Sequence, residues 1–268
     1  MIRMAISGAA GRMGRRLVAL VAEDPSCRLV AALEREGHPG LGEDVGRLAA
    51  GEALGVPLTH KLAGSPEVLL DFSTPAATLD RLDPCARDGI NVVIGTTGFT
   101  EEQLQQVYAA AHQTAVLLEP NMSVGINLLY DLAAQAARAL EAAFDLEIVE
   151  AHHRYKADAP SGTALALARR VCEATDRDFE DAVIYGRRGR TGTRPAGQIG
   201  IHAVRAGDIV GEHRLIFSGL GERLELVHVA HTRDAFARGA LRAAKFLAHQ
   251  PAGLYGMRDV LAEPTPED

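Results

Sequence analysis

Short apolar runs and amphipathic stretches alternate through the first half of the chain. Residues 2–7 are largely apolar and lead into Gly8, Met13, Leu17, Leu20 and Val21 recur at helical spacing over 12–22, and residues 27–33 are apolar again. That order predicts a β-α-β unit. A Gly-rich stretch, 37–55, reads as a loop. Beyond it, apolar runs at 67–72, 91–96 and 115–119 are separated by helical patterns at 76–87 and 101–112. Strands covered on both faces show such uninterrupted runs, so this half predicts an α/β fold with a Rossmann-type, doubly wound parallel sheet.

The pattern changes at Pro120-Asn121-Met122-Ser123. An Ala- and Leu-rich helix is predicted over 125–143, then a strand over 146–151 and a helix over 161–173. Strand-like segments follow at 182–185, 199–205, 209–218 and 223–230, joined by short Gly-containing turns. This part predicts an α+β domain with a mixed or mostly antiparallel sheet. A helix over 234–249 and a polar tail, 263–268, complete the chain.

Composition narrows the function. The chain has 268 residues, 47% of them hydrophobic and 24% charged, with a net charge of -7. That balance is ordinary for a globular protein and argues against a partner as anionic as nucleic acid. Aromatic residues make up 4% and Trp is absent, which leaves few stacking platforms for single strands. Arg187, Arg188, Arg190 and Arg194 lie in the Gly-rich stretch 186–200; with no recognition helix beside them, they read as a mobile surface loop near an anionic cofactor or substrate. Three widely spaced cysteines suggest neither a disulfide framework nor a zinc site, and the His residues form no HxxxH or HExxH pair, so no metal site is expected. No apolar run reaches the roughly 18 residues of a membrane span, and no signal-peptide pattern opens the chain, which together predict a cytoplasmic protein.

Gly8-Ala9-Ala10-Gly11-Arg12-Met13-Gly14 falls between the first predicted strand and helix. Glycine there lets the backbone turn and approach a pyrophosphate, and the helix start presents free N–H groups to it. The spacing is GxxGxxG rather than GxGxxG. Glu34 ends the second strand about 20 residues beyond Gly14, where a carboxylate can hold ribose hydroxyls, and Arg35 beside it suits a 2′-phosphate. The pair predicts that both NADH and NADPH are used. Gly95-Thr96-Thr97 and Glu119-Pro120-Asn121-Met122 end two further strands, and ligands of open α/β sheets sit beyond such ends. The alternative is that the glycines serve only close strand–helix packing.

The densest polar stretch runs from Glu150 through His152, His153, Lys156 and Asp158 to Ser161-Gly162-Thr163. Pro160 and Ser161 predict a helix start with Ser161 as N-cap, a natural carboxylate cradle. Hydride transfer to an electron-poor C=C or C=N bond builds negative charge that a positioned acid or cation must meet, and His152 and Lys156 supply those types. The same residues also fit an ordinary strand end with a solvated lysine. A cysteine nucleophile lacks support, because Cys172 falls inside a predicted helix and Cys27 and Cys85 lie far from the cluster.

On these residues the chain resembles the dihydrodipicolinate reductase family almost throughout. The matching stretches are GAAGRMGRRL from Gly8, ALERE from Ala32, DFSTP from Asp71, VIGTTGF from Val93, EPNMSVGIN from Glu119, EAHHRYKADAPSGTA from Glu150 and VRAGDIVGEH from Val204. The resemblance implies reduction of a cyclic unsaturated dicarboxylate by NADH or NADPH in the diaminopimelate route to lysine. It implies His152 as proton donor or acceptor and Lys156 as proton donor and charge stabiliser, with His153, Ser161, Gly162 and Thr163 holding a substrate carboxylate. It implies cofactor contacts at Gly8 to Met13, Glu34, Arg35, Gly95 to Thr97 and Glu119 to Met122. It also implies a cytoplasmic homotetramer built through the second sheet, whose open face would carry Ile209, Leu215, Leu224 and Leu226. The closing helix of the family returns to the nucleotide domain, which gives a nucleotide domain of 1–123 with 234–268 and a substrate and assembly domain of 124–233. A dinucleotide sensor, or an unrelated semialdehyde or imine reductase, are the competing readings. A sensor would not need His152, Lys156 and the Ser161 cradle together.

Overall fold

The computed structural model describes residues 1–49, 51–140 and 143–262. The polar tail and residues 141–142 of the helix expected over 125–143 lie outside the described residues. The chain divides into two compact units, Met1–Val124 with Arg233–Asp268, and Gly125–Thr232.

The first unit begins β1 (Ile2–Ser7), α1 (Arg12–Glu23), β2 (Cys27–Leu33), α2 (Val45–Ala49), β3 (Leu58–Thr59), β4 (Val68–Asp71), α3 (Pro75–Asp88), β5 (Asn91–Ile94), α4 (Glu101–Ala110) and β6 (Ala115–Leu118). It resumes with α8 (Asp234–Leu247), β12 (Gly253–Tyr255) and α9 (Met257–Ala262). Its strands form a parallel sheet in the order β12-β6-β5-β4-β1-β2-β3. Every residue of β4 is buried, which matches its apolar run. On one face Met4, Ile6 and Leu70 pack with Leu17 and Val21 of α1 and Leu247 of α8; on the other, Ala5, Leu69 and Val92 meet Leu82 and Val107. Arg16 of α1 donates from Nε and Nη2 to both carboxylate oxygens of Asp234, at 2.8 and 2.7 Å, fastening the start of α8 to α1. Gly239 is where α8 passes the Met122 carbonyl, which a Cβ would strike.

The stretch expected to be a loop contains α2. Asp44 creates it: Oδ1 accepts from the amides of Gly46 and Leu54, and Oδ2 accepts from that of Gly55. A five-residue helix held by one carboxylate has too little periodicity to stand out in a glycine-rich sequence. β3, β12 and α9 were likewise absent from the pattern.

The second unit contains α5 (Val124–Leu140, beginning at the unit boundary), β7 (Asp145–His152), α6 (Gly162–Ala174), α7 (Phe179–Ala182), β8 (Val183–Tyr185), β9 (Ile199–Arg205), β10 (Gly211–Ser218) and β11 (Arg223–Ala230). The sheet is mixed, in the order β11-β10-β7-β9-β8: β7, β8 and β9 run parallel, while β10 is antiparallel to both its neighbours. Leu146, Ile148, Ile199, Ile201, Leu215 and Phe217 form a core with Leu129 and Tyr130 of α5 and Leu167 and Val171 of α6. This corrects the expected open face. Leu215 is fully buried, and Leu226, which pairs with it, packs against the same core; Leu224 pairs with Phe217 and so lies on the same side, but it remains 42% exposed, as expected. Ile209 precedes β10 and lies outside the sheet. The residues that leave apolar surface on the other side are Val204, Val227 and Val229.

Candidate active site

The predicted cofactor residues of the first unit all lie beyond the C-terminal ends of parallel strands. Gly8, Ala9, Ala10 and Gly11 turn from β1 into α1, whose first turn holds Arg12 and Met13. Glu34 and Arg35 follow β2, Gly95 to Thr97 follow β5, and Glu119 to Met122 follow β6. The strand order reverses between β1 and β4, so these loops surround the topological switch point. Gly8 has φ +74°, and a Cβ there would run into the Phe72 carbonyl oxygen beyond β4. A Cβ at Gly14 would strike Gly8 O and Ala9. Gly8 N and Ala9 N both donate to Leu33 O at 3.0 Å, which ties the turn to the strand end carrying Glu34.

Gly11 is the N-cap of α1 and offers no side-chain acceptor to the first-turn amides. A glycine turn fixed against two strand ends and followed by such a helix start fits a dinucleotide pyrophosphate. Beneath it lies an unpredicted network. Asp71 is fully buried, and its Oδ1 accepts from Ser73 N and Oγ, Thr78 Oγ1 and Thr96 Oγ1 at 2.7 to 3.1 Å. The Thr96 hydroxyl is therefore turned inward, so any cofactor contact at this position is through backbone. A cavity of about 550 Å³ by the N-terminal ends of β1 and β2, lined by Arg3, Arg28, Leu29 and Val56 among others, holds none of the predicted site residues.

In the second unit the polar stretch folds around Glu150. His152 ends β7, and its Nδ1 lies 2.6 Å from Glu150 Oε2. Ser161 caps α6: its Oγ accepts from Ala164 N at 3.2 Å, while its own amide donates to Glu150 Oε1 at 2.9 Å. Arg205, at the end of β9, donates bidentately to Glu150 with both distances 2.8 Å, and also to Asp158 O at 2.6 Å. His213 of β10 places Nε2 3.1 Å from Ser161 Oγ, and its ring stands edge-on to His152 at 5.2 Å between centroids. Open space lies over the helix start, where a Cβ at Gly162 would meet nothing within 4 Å. Lys156 bonds through its amide to His153 O, and its ammonium lies 2.9 Å from the exposed Asp158 carboxylate. His153 has a buried Nδ1 with no hydrogen-bond partner.

Burial alone would raise the Glu150 carboxyl, but Arg205, His152 and the Ser161 amide outweigh it and hold its pKa below the ordinary value. For His152, burial dominates and lowers the imidazole pKa; Glu150 opposes this, while the charges of Lys156 and Arg205 add to it. His213 is pushed down to about 3, chiefly by burial and then by His152, so it is neutral throughout the physiological range.

The sequence alone assigned no role to Glu150, Arg205, His213 or Asp71. A signal was present for Glu150, since strand alternation places residue 150 on the same face as residue 152. Arg205 and His213 come from other strands; both fall in the VRAGDIVGEH stretch from Val204, but nothing in it ties them to His152. The arginines of 186–200 also require correction. Arg187 and Arg194 are committed to Glu147, and Arg194 to Asp145, rather than free for an anionic ligand. No group suited to hold a metal ion occurs among the described residues, and none of their helices is long and apolar enough to cross a membrane.

Family models for dihydrodipicolinate reductase match the chain over residues 2–122 (N-terminus) and 125–261 (C-terminus). It is 52% identical over 263 residues to the 4-hydroxy-tetrahydrodipicolinate reductase of Thiobacillus denitrificans, covering 97% of this chain and 98% of that one. It is 50% identical to the protein of the same name from Anaeromyxobacter sp. (strain Fw109-5), with the same coverage. Its fold resembles a dipicolinate-bound dihydrodipicolinate reductase from Paenisporosarcina sp. TG-14, with a TM-score of 0.76 and 29% identity, over 97% of this chain and 99% of that one.

Proposed function

The chain belongs to the dihydrodipicolinate reductase family, and from that premise we propose how its own residues carry out the reaction. It is an oxidoreductase that reduces 4-hydroxy-tetrahydrodipicolinate to tetrahydrodipicolinate with NADH or NADPH, in the diaminopimelate route to lysine. The balance adds a hydride and a proton to the substrate and releases water. When bound, the reduced nicotinamide supplies the hydride.

The Gly8 to Met13 turn surrounds the pyrophosphate, with the first-turn amides of Arg12 and Met13 donating to it because those of Gly8, Ala9 and Gly11 are already bonded to Leu33 O and Gly8 O. Glu34 and Arg35 meet the adenosine ribose, and Gly95 to Thr97 with Glu119 to Met122 complete the cofactor site. The Ser161-capped start of α6 carries the assignment of the substrate side, because it joins an open helix terminus to the His152 network through one carboxylate. The His213 Nδ1 is buried without a partner, so the cheaper tautomer keeps its proton on Nε2 and donates it to Ser161 Oγ. With Ala164 N also donating to that oxygen, the Ser161 O–H is left to donate to a substrate carboxylate. His153, Gly162 and Thr163 hold the same carboxylate. Lys156 leaves the exposed Asp158 to stabilise developing charge and donate a proton, and His152 exchanges protons beside it.

The dipicolinate bound to the Paenisporosarcina reductase is consistent with a two-carboxylate ligand here. The open sheet face with Val204, Val227 and Val229 supports assembly as a homotetramer, and the three free, buried cysteines fit a reducing cytoplasm. Sedimentation of Val227→Lys and Val229→Lys variants tests the assembly; tetramers that persist would place the interface elsewhere. For the reaction, the protein is mixed with NADPH and the condensation product of pyruvate and aspartate semialdehyde while cofactor absorbance is followed. No oxidation above the enzyme-free control would reject the assignment.

A further inference from the structure

Glu150 has no exposed surface, yet its two carboxylate oxygens meet four donor groups from three elements. Oε2 faces His152 Nδ1 and Arg205 Nη1; Oε1 faces the Ser161 amide and Arg205 Nη2. The bidentate arginine balances the buried charge and fixes the plane of the carboxylate. An ionised carboxylate only accepts, so a hydrogen bond at 2.6 Å puts the imidazole proton on Nδ1. We propose that Glu150 is a positioning residue for the reduction: acting through His152 and Ser161, it fixes the neutral imidazole as the Nδ1–H tautomer, with Nε2 free to accept a proton, and holds the carboxylate-binding start of α6 in register with it.

This rests on the reading of His152 and Ser161 given above. The tautomer has a chemical consequence. Neutral His152 takes a proton at Nε2 and cannot give one from there; it becomes a donor at Nε2 only as the imidazolium, whose charge Glu150 stabilises. Nε2 has room to act, because β10 passes it at Gly211, where a Cβ would come within 3.3 Å. The groups facing the ring are Glu150 on its own strand, Arg205 on β9, His213 on β10 and Lys156 on the following loop. Lys156 and Arg205 are cationic and His213 is neutral. Glu150 is thus the anion that keeps His152 able to bind a proton in a buried, positively charged setting.

A purely structural anchor would also destabilise α6 when removed, but it would set neither the tautomer nor the titration of His152. The test uses ¹⁵N-histidine NMR of the full-length wild-type protein at alkaline pH, together with pH profiles of kcat/KM for wild type, Glu150→Gln and His152→Ala. The expected wild-type spectrum shows the Nδ1–H tautomer for His152. In Glu150→Gln, the His152 titration and the corresponding limb of kcat/KM move to lower pH, and kcat falls at least about 10-fold, within the ~10²–10⁴ that positioned proton transfer contributes. A wild-type Nε2–H tautomer overturns the proposal even if the variant fails to fold. An unmoved titration in a folded Glu150→Gln protein does the same while leaving His152 in its role. Unchanged turnover of His152→Ala would instead remove the reading of His152 and the proposal with it.

Discussion

Replacing Ser161 with alanine should damage stability and substrate binding by separable amounts. The hydroxyl caps α6 through Ala164 N and lies against the buried His213 Nε2. Loss of an N-cap costs ~1 kcal/mol, and a buried ring nitrogen left without its partner costs ~1–3 kcal/mol. Local stability of α6 should therefore fall by about 2–4 kcal/mol. If the O–H also donates to a substrate carboxylate, a bond of ~1.5–3 kcal/mol disappears, which is a rise of roughly 10- to 150-fold in KM for the dicarboxylate. Native-state hydrogen exchange of the α6 amides reads the first quantity, and steady-state kinetics reads the second. The affinity for NADH should stay unchanged, since its predicted contacts lie in the first unit. A stability loss below about 0.5 kcal/mol, the usual scatter of inert substitutions, would refute the network drawn around His213. An unaltered KM would take Ser161 away from the substrate.

Lys156→Ala should lower kcat by at least about 10² while NADPH affinity is retained; an unchanged kcat would remove Lys156 from the site. Glu147 is held at about 2 against an ordinary 4.5, because hydrogen bonds from Arg187, His202 and Arg194 outweigh its burial. A depressed carboxylate contributes stability above its unfolded pKa and loses it as pH falls through the folded one, so about 2–3 kcal/mol should fade between pH 4.5 and 2. Urea denaturation of wild type and Glu147→Gln should accordingly differ more at pH 6 than at pH 3, and an equal difference at both would contradict the linkage. Glu34 and Arg35 each favour one cofactor, so kcat/KM for NADH and NADPH should agree within about a hundredfold, or ~2.7 kcal/mol. Arg35→Ala should weaken NADPH more than NADH, and equal losses would place Arg35 away from the 2′-phosphate.

The order of elements was readable because parallel strands buried on both faces leave apolar runs, as at Val68–Asp71, and because the glycine turn and the Pro160-Ser161 helix start have local signatures. What failed to register was made by partners distant in sequence. α2 exists because Asp44 reaches forward to Leu54 and Gly55, and the inward turn of Thr96 depends on Asp71. The error over Leu215 and Leu226 has a similar origin. Alternation divides a strand into two faces, but only the packing of α5 and α6 decides which face is covered. Arg205 and His213 meet His152 through the pairing of β9 and β10 with β7, a register that no single segment encodes.

That register also separates the charges that stay from those that move. The protein carries a net charge of -7, yet its substrate is a dianion and its cofactor is anionic. Attraction must therefore be local. Glu150 and Arg205 neutralise one another in a bidentate pair with 0% and 19% of their side chains exposed, and breaking such a pair would strand a buried charge at a cost of ~3–5 kcal/mol. Lys156, whose side chain is 23% exposed, pairs instead with Asp158, whose side chain is 59% exposed, and a pair open to water at its acid holds by only about 1 kcal/mol. An incoming anion can displace Asp158 from Lys156 at little cost, whereas it cannot draw Arg205 from Glu150. The free protein thus keeps a rigid frame around His152 and Ser161, with Lys156 beside it as a cation that substrate can draw away.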